Sequence, residues 1–361
     1  MKISSLKNNY LRVVINLNRK SMEISPEIKD RLEQLSKKYA AIGQDLASYL
    51  DGLIYANPIT YWDYIEVDAL LSLQKPKTDF PDEKIFIVYH QITELYFSLI
   101  LHELEQVCHN GKIISTTGQD LGWNDQLDLE FFVERLKRIN MYFETLTKSF
   151  EVMRFGMEKD QFTKFRMSLL SSSGFQTAAY RQIEIACTDL KHLVMEDQRE
   201  ILKDADIHEQ LNNIYWRRGA IVEETGEKAL TLRDFEKKYL QGFHDFADKY
   251  QPINIWEKYT TLSAKDKENE TLIAELRALD IHVNVNWPLV HFRTAVHYLS
   301  KGTGDEKGTG GTNWQKYLPP RFQRRIFYPE LWSEKEKNEW GKKWVEEVLA
   351  DSIKTGSAFR K

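Results

Sequence analysis

Apolar residues recur at three- and four-residue steps through most of the chain. In residues 26–55 the stripe includes Ile28, Leu32, Leu35 and Tyr39, and this spacing predicts an amphipathic helix. Similar stripes predict further helices over 61–74, 82–109, 126–158, 159–170, 175–195, 228–249 and 271–300. Sustained alternation of the kind that strands show is scarce. The pattern therefore predicts an all-α fold.

Breaks in these stripes give the expected connections. They fall at Asn57-Pro58, at 74–81, at Ser171–Gly174 and in the glycine-rich stretch 302–311. No shift in composition divides the chain, so residues 1–361 are expected to form a single all-helical domain. Within it we expect an N-terminal helical extension over 1–55 and a variable, charge-rich insert over 201–270, with 265–270 as a solvated connection.

Composition excludes several classes of protein. The 361 residues are 42% hydrophobic. With 50 basic and 54 acidic residues the net charge is -4, so the chain lacks the basic excess that is typical of nucleic-acid-binding proteins. Cys108 and Cys187 have neither pair-forming nor metal-type spacing, which fits a reducing compartment. No stretch approaches the ~20 apolar residues of a membrane span. A soluble cytoplasmic protein is expected.

The segment that begins at Pro81 combines an apolar helix with a polar cluster. His90, Gln91 and Glu94 stand within one turn, and Phe86 lies one turn before His90 on the same face. A histidine on an apolar helix is commonly a satisfied core residue. Three polar groups in one turn favour a cavity instead, because an unpaired buried polar group costs ~1–3 kcal/mol.

A second histidine follows a tryptophan by four positions, as Trp287-xxx-His291. A neutral imidazole on a helix is a suitable axial ligand for haem iron, and haem that binds oxygen needs one protein ligand. His282 and His297 are equally eligible by residue type. A zinc site fits poorly, because no HExxH motif occurs and both cysteines lie elsewhere.

Three shorter motifs each have a structural and a functional interpretation. Gly308–Gly311 exposes backbone N–H groups without matching a phosphate-binding loop, so it is either a turn or a ligand contact. Arg166, after Phe162 and Phe165, is either solvated or placed to bind a carboxylate through its planar fork. The aromatic pair of Tyr61-Trp-Asp-Tyr64 usually packs a core.

Taken in order, these motifs resemble the tryptophan 2,3-dioxygenase family from about Tyr61 to Trp332. The helix with Phe86-Ile-Val-x-His90-Gln91-xx-Glu94 is similar to the distal helix of that family. The other similar pieces are Tyr61-xx-Tyr64, Phe162-xx-Phe165-Arg166 with Ser173-Gly174-Phe175-Gln176, Trp287-xxx-His291, Gly308-Thr309-Gly310-Gly311 and Phe327-Tyr-Pro-Glu-Leu-Trp332.

The resemblance implies a haem b enzyme that opens the indole ring of L-tryptophan with O₂ to give N-formylkynurenine. It implies that His291 is the axial ligand of ferrous haem iron, and that Trp287, Ser173 and Gly174 contact the cofactor. His90 would be the catalytic distal residue near the indole N–H. Whether it acts as a base or only positions the indole stays open at this point.

The same resemblance assigns the substrate contacts. Phe86 and Phe162 would form the walls of the indole pocket, Arg166 would pair with the amino acid carboxylate, and Thr309 would contact the carboxylate and ammonium. A cytosolic homotetramer is implied, with no nucleic acid or membrane as partner.

In the family, the helix with the tyrosine pair enters the pocket of a neighbouring subunit, so Tyr61 and Tyr64 are expected to act in trans. Two departures from the family pattern, Tyr96 for Trp and Ser98 for a basic residue, leave alternatives open. One is a related haem oxygenase acting on a substituted tryptophan or another aromatic amino acid. The other is a haem-binding helical protein without catalysis, against which the retained His90 and Arg166 argue.

Overall fold

The computed structural model describes residues 24–56, 58–116, 118–169, 172–220, 226–299 and 324–342. Helices dominate, which confirms the predicted all-α class. They are α1 Pro26–Ala40, α2 Leu46–Tyr55, α3 Tyr61–Tyr64, α4 Val67–Ser72, α5 Asp82–Cys108, α6 Leu129–Ser149, α7 Glu151–Phe155, α8 Lys159–Phe165, α9 Ala178–Cys187, α10 Arg199–Leu202, α11 Ile207–Asn212, α12 Tyr215–Gly219, α13 Leu230–Tyr250, α14 Ile255–Thr260, α15 Ala264–Lys267, α16 Glu270–Ile281, α17 Trp287–Leu299 and α18 Glu334–Asn338.

Short irregular elements connect these helices. Single 3-10 turns occupy Arg166–Leu169, Gly174–Gln176, Leu190–His192, Glu196–Gln198, Gln251–Ile253 and Pro329–Leu331, and a π-helical turn occupies His282–Asn286. Strands β1 Lys112–Ile114 and β2 Asp120–Trp123 form an antiparallel hairpin. Several of the continuous helices that the sequence predicts are therefore divided.

The first division lies in the predicted helix 26–55. The chain turns at Gly43, whose φ of +69° is left-handed and favours glycine, and Asp45 then caps α2 by accepting from the Ser48 N–H at 3.1 Å. The rings of Tyr39 and Tyr49 stack 4.0 Å apart between α1 and α2. The described residues up to position 68 form one compact unit and those from 69 onward form another. The single-domain organisation stays a prediction.

The core of the second unit is built around α5. This helix packs against α6 and α9, and α6 packs in turn against α16. Phe97, Ile100 and Leu104 are fully buried on the inner face of α5. Glu103 on the same helix is also buried and pairs with Arg135 of α6 at 2.8 Å, so the α5–α6 contact is polar as well as apolar.

Helix α5 also has an apolar outer face. By length and composition it could cross a membrane, whereas the sequence analysis expected no such run. One helix of this kind is weak support for a membrane protein, because core helices of soluble proteins meet the same criteria. The buried ion pair of Glu103 fits a core helix better than a lipid-facing one.

The charge-rich stretch 201–270 contributes to the core. Trp216, Phe235 and Phe243 are each about 2% exposed and pack ring against ring, with Phe175 at the edge of the cluster. The predicted connection 265–270 carries the short helix α15, and most of its residues are exposed or half-buried. The stretch thus pairs a solvated outer face with a buried aromatic cluster.

Both cysteines are free and buried. Burial raises the pKa of the Cys108 thiol to about 12 and that of Cys187 well above its ordinary value. Neither thiol is ionised at neutral pH, so both behave as small apolar core residues.

Candidate active site

His90 lies on α5 among aromatic side chains. Its Nδ1 is 2.7 Å from the carbonyl oxygen of Phe86, one turn earlier. The two rings contact each other with centroids 4.1 Å apart. A carbonyl can only accept, so we assign the proton to Nδ1 and the lone pair to Nε2. Burial lowers the pKa of His90, which keeps the imidazole neutral at pH 7.

His291 on α17 has the same arrangement. Its Nδ1 lies 2.8 Å from the carbonyl oxygen of Trp287, so Nε2 again holds the lone pair. Burial lowers the pKa of His291 to about 4, with a smaller lowering from nearby His90. Among the residues that the structure describes, neither Nε2 has a hydrogen-bond partner. Each helix thus presents a neutral imidazole, and His90 is near enough to His291 to lower its pKa.

Aromatic residues connect the two histidines. Phe150, at the end of α6, lies 4.6 Å from the His291 ring and 5.6 Å from Tyr89. Tyr89 in turn contacts His90 edge to face at 6.4 Å. The hydroxyl of Tyr89 donates to the Leu146 carbonyl at 3.4 Å and lies 3.1 Å from the Ser149 hydroxyl. Sequence reasoning missed Phe150 and Tyr89, because their helical spacing resembles that of any core residue.

Helix α8 contributes the next wall. Phe162 lies 6.2 Å from Phe86 and 5.5 Å from Phe165, and Phe165 is 5.7 Å from Phe86. The Tyr298 ring contacts that of Phe162 with centroids 4.4 Å apart, and its hydroxyl donates to the Met153 carbonyl at 2.9 Å. Phe86 and Phe162, two of the predicted pocket residues, are therefore in one aromatic cluster with His90.

Arg166 follows Phe165 directly, in the 3-10 turn that ends α8. It is 8% exposed, so the interpretation of a simply solvated arginine is wrong for this structure. A buried guanidinium requires anionic or carbonyl partners. Arg166 directly follows Phe165 in the chain, and the Phe165 ring contacts the rings of Phe86 and Phe162.

The segment 172–176 is anchored by its own side chains. Ser173 accepts from the Phe175 N–H at 3.3 Å, and Gln176 accepts from the Ser173 N–H at 3.2 Å, which forms a capping box. Gly174 is exposed, and a Cβ added there would meet nothing within 4 Å. The backbone at Gly174 is accessible to a flat group that approaches closely.

Other polar residues of the predicted cluster do not join the site. Gln91 accepts from Gln74 Nε2 at 2.6 Å and so holds the 74–81 connection against α5. Glu94 is exposed. His282 stacks over Phe143, and His297 contacts Phe155. Of the four histidines considered, His90 and His291 are the pair that the fold brings together.

Three predicted substrate residues have no described contact with this cluster. Tyr61 and Tyr64 lie in the first compact unit, where they are 72% and 74% exposed. Thr309, with the Gly308–Gly311 motif, lies outside the described residues. Their roles stay predictions.

The donor set fits a haem iron. Within the described ranges, no group of three or more His, Cys, Asp or Glu residues is arranged to hold a metal ion, but a porphyrin supplies four nitrogens itself and needs one protein ligand. A neutral imidazole whose Nδ1–H donates to a carbonyl is the usual form of such a ligand. His291 has this form, inside an aromatic environment that suits a flat macrocycle.

Comparison with known proteins identifies the family. Residues 54–286 match the family model of tryptophan 2,3-dioxygenase. The chain is similar to the tryptophan 2,3-dioxygenases of Ruegeria pomeroyi (27% identity, 77% of this chain and 92% of the relative) and Bradyrhizobium diazoefficiens (26%, 77% and 92%). That of Bacillus thuringiensis subsp. konkukian is 28% identical over 76% of this chain and 91% of the relative. The matched model spans most of the chain, and the protein therefore belongs to the tryptophan 2,3-dioxygenase family of oxidoreductases.

Proposed function

We propose that this protein uses haem b to open the indole ring of L-tryptophan with O₂, giving N-formylkynurenine. The observation that carries the proposal is the pair of neutral imidazoles, His90 and His291, each with Nδ1 bonded to a carbonyl and with no partner for Nε2 among the described residues. One imidazole suffices as the iron ligand, and the second is then available to the substrate. Family membership supplies the reaction class.

His291 would hold the iron through Nε2. The Trp287 carbonyl at 2.8 Å fixes the tautomer and the ring orientation that this requires. Trp287, Ser173 and Gly174 would contact the porphyrin. When bound, ferrous haem would supply the O₂ chemistry.

His90 would accept a hydrogen bond from the indole N–H through its free Nε2. Burial lowers the pKa of His90, which favours a neutral acceptor over a cation. Phe86 and Phe162 would hold the flat indole ring between them, which orients the reacting C2–C3 bond and excludes water. We propose that His90 primarily positions the indole, because an indole N–H with no acceptor would be costly to bury.

Arg166 would bind the substrate carboxylate. A bidentate guanidinium–carboxylate pair is strong in a buried site and discriminates against indoles without that group. Thr309 would add hydrogen bonds to the carboxylate and ammonium. These contacts favour a free amino acid as substrate.

We propose a homotetramer as the working form. Ile92, Leu95 and Leu99 leave an apolar stripe exposed on the outer face of α5, next to an apolar groove that α5 forms with Val152. In the first unit, Tyr61 and Tyr64 are exposed aromatic residues of the kind that interfaces bury. Contact of the tyrosine pair with a neighbouring subunit's site would bury the pair, and the stripe on α5 would supply a second surface between subunits.

The cytoplasm is the proposed compartment. The two cysteines are unpaired in the structure, and unpaired buried thiols fit a reducing environment. A family of soluble oxidoreductases supports the same location.

The test is reconstitution with haemin, reduction, and addition of L-tryptophan and O₂. We expect a Soret band at one haem per chain and the absorbance of N-formylkynurenine. His291→Ala should lose stoichiometric haem, whereas the matched variants His282→Ala and His297→Ala should keep it. A full Soret band in His291→Ala would overturn the ligand assignment. Full haem without product would indicate a different aromatic substrate, which a panel of substituted tryptophans would identify.

A further inference from the structure

A π-helical turn separates α16 from α17. It spans His282–Asn286 and ends where the Trp287 N–H donates to the His282 carbonyl, five residues back. One extra residue in a turn rotates all later side chains by about 100° relative to an uninterrupted helix. Trp287 and His291 are the residues that follow. The direction in which His291 points therefore depends on this turn.

Asp280 lies two positions before the first residue of the turn and is fully buried. Its Oδ1 accepts from Asn284 Nδ2 at 2.8 Å. Asn284 lies inside the π-helical turn and is 2% exposed. In the described part of the chain, its Oδ1 has no hydrogen-bond partner, so the bond to Asp280 is what fixes the Asn284 side chain.

The same carboxylate binds a distant segment. It accepts from the backbone N–H groups of Phe327 at 3.0 Å and Tyr328 at 3.2 Å, and from Trp332 Nε1 at 3.0 Å. Burial raises the pKa of Asp280 to about 6, while these hydrogen bonds lower it. The group is an anion at neutral pH, and charge-assisted hydrogen bonds are stronger than neutral ones.

We infer that Asp280 is a positioning residue for His291, acting through Asn284 on the π-helical turn. Anchored on one side by the backbone at 327–328 and the Trp332 indole, the carboxylate holds Asn284 and keeps the extra residue of the turn in place. The link to iron rests on the proposed function, because it takes His291 as the ligand. The link from Asp280 to the turn does not.

Four variants separate this role from a general contribution to stability. Asp280→Asn keeps the shape but turns an N–H group toward two donors, and Asn284→Ala removes only the contact inside the turn. The matched variant Trp332→Phe removes one donor to the same carboxylate from the opposite side and keeps an aromatic ring. Asp234→Asn, at an exposed position on α13, controls for loss of a carboxylate.

The first measurement is hydrogen exchange of the apoprotein, read in peptides that cover 282–291. Asp280→Asn and Asn284→Ala should speed exchange at the Trp287 amide by about tenfold or more, as loss of a buried hydrogen bond implies. Asp234→Asn should leave these peptides unchanged, and Trp332→Phe should change them less than Asn284→Ala, because the Phe327 and Tyr328 N–H groups still hold the carboxylate. Acceleration spread evenly over the whole chain, or none in a folded variant, would overturn the inference.

The second measurement is the haem affinity and the iron–histidine stretching band in the resonance Raman spectrum. Loss of a residue that orients a metal ligand costs about 10–100-fold in affinity, so Asp280→Asn and Asn284→Ala should weaken haem binding by that factor and shift the band. If Asp280→Asn does not fold, Asn284→Ala decides the outcome alone. A wild-type protein that binds no haem would refute the proposed function, while the exchange data would still judge Asp280.

Discussion

Replacement of Arg166 by alanine tests the proposed substrate site most directly. Arg166 is 8% exposed and directly follows Phe165, whose ring contacts those of Phe86 and Phe162. Removal of one partner of a buried charge pair costs about 2–5 kcal/mol, which is a fall in kcat/KM of about 30-fold to 4000-fold at 1.4 kcal/mol per tenfold. We expect most of the loss in KM, because the carboxylate lies away from the reacting indole carbons.

The assay compares L-tryptophan with tryptamine, which lacks the carboxylate. If Arg166 binds that group, Arg166→Ala should reduce turnover of tryptophan sharply and turnover of tryptamine little. Arg166→Lys keeps the charge without the planar fork, so its turnover of tryptophan should lie between that of the wild type and that of Arg166→Ala. Arg233→Ala, at an exposed position, is the matched control. Equal losses for both substrates, with haem content and thermal stability intact, would refute the pairing.

Three further predictions concern stability and the pocket. Glu184 is fully buried with Tyr215 and two arginines, so Glu184→Gln should lower the free energy of unfolding by about 3–5 kcal/mol. The exposed control Glu200→Gln should leave that free energy unchanged. Equal urea midpoints for the two variants would contradict this prediction. Burial lowers the pKa of His192 to about 4. Below pH 6.5 the unfolded state therefore binds more protons at this residue than the folded state does. The free energy of unfolding should fall as the pH drops toward 4, by on the order of 3 kcal/mol. His192→Asn should flatten that slope in thermal melts, and an unchanged slope would exclude the residue. Phe162→Ala opens space beside Tyr298 and should raise KM for tryptophan about tenfold, as loss of ring contacts implies; an unchanged KM would remove it from the pocket.

The sequence predicts the helices of this protein well and their interruptions poorly. Helix α5 follows from its apolar stripe, and its predicted end differs by one residue. The break at 41–45 was missed, because the apolar stripe continues across it and the single glycine, Gly43, does not interrupt the spacing. The π-helical turn was missed for the same reason, since one inserted residue leaves a three- or four-residue spacing intact.

The candidate site could be predicted in part. His90 and Phe86 share a face of one helix, so their contact follows from spacing alone. The closeness of His90 and His291 in space does not follow from spacing, because 200 residues separate them and only tertiary packing brings them together. Asp280 gave no signal at all: a single aspartate at the end of a helix is ordinary until the backbone at Phe327 and Tyr328 is seen to contact it.

The two buried thiols make this chain a convenient one for site-specific labelling. Cys108 and Cys187 are its only cysteines, and neither should react with a maleimide while the fold is intact. A cysteine substituted for Trp62, which is 58% exposed between the two tyrosines, would then be the single reactive position. A spin label there would report, by its distance to a paramagnetic ferric iron, whether the tyrosine helix meets a haem and whether that haem belongs to another chain.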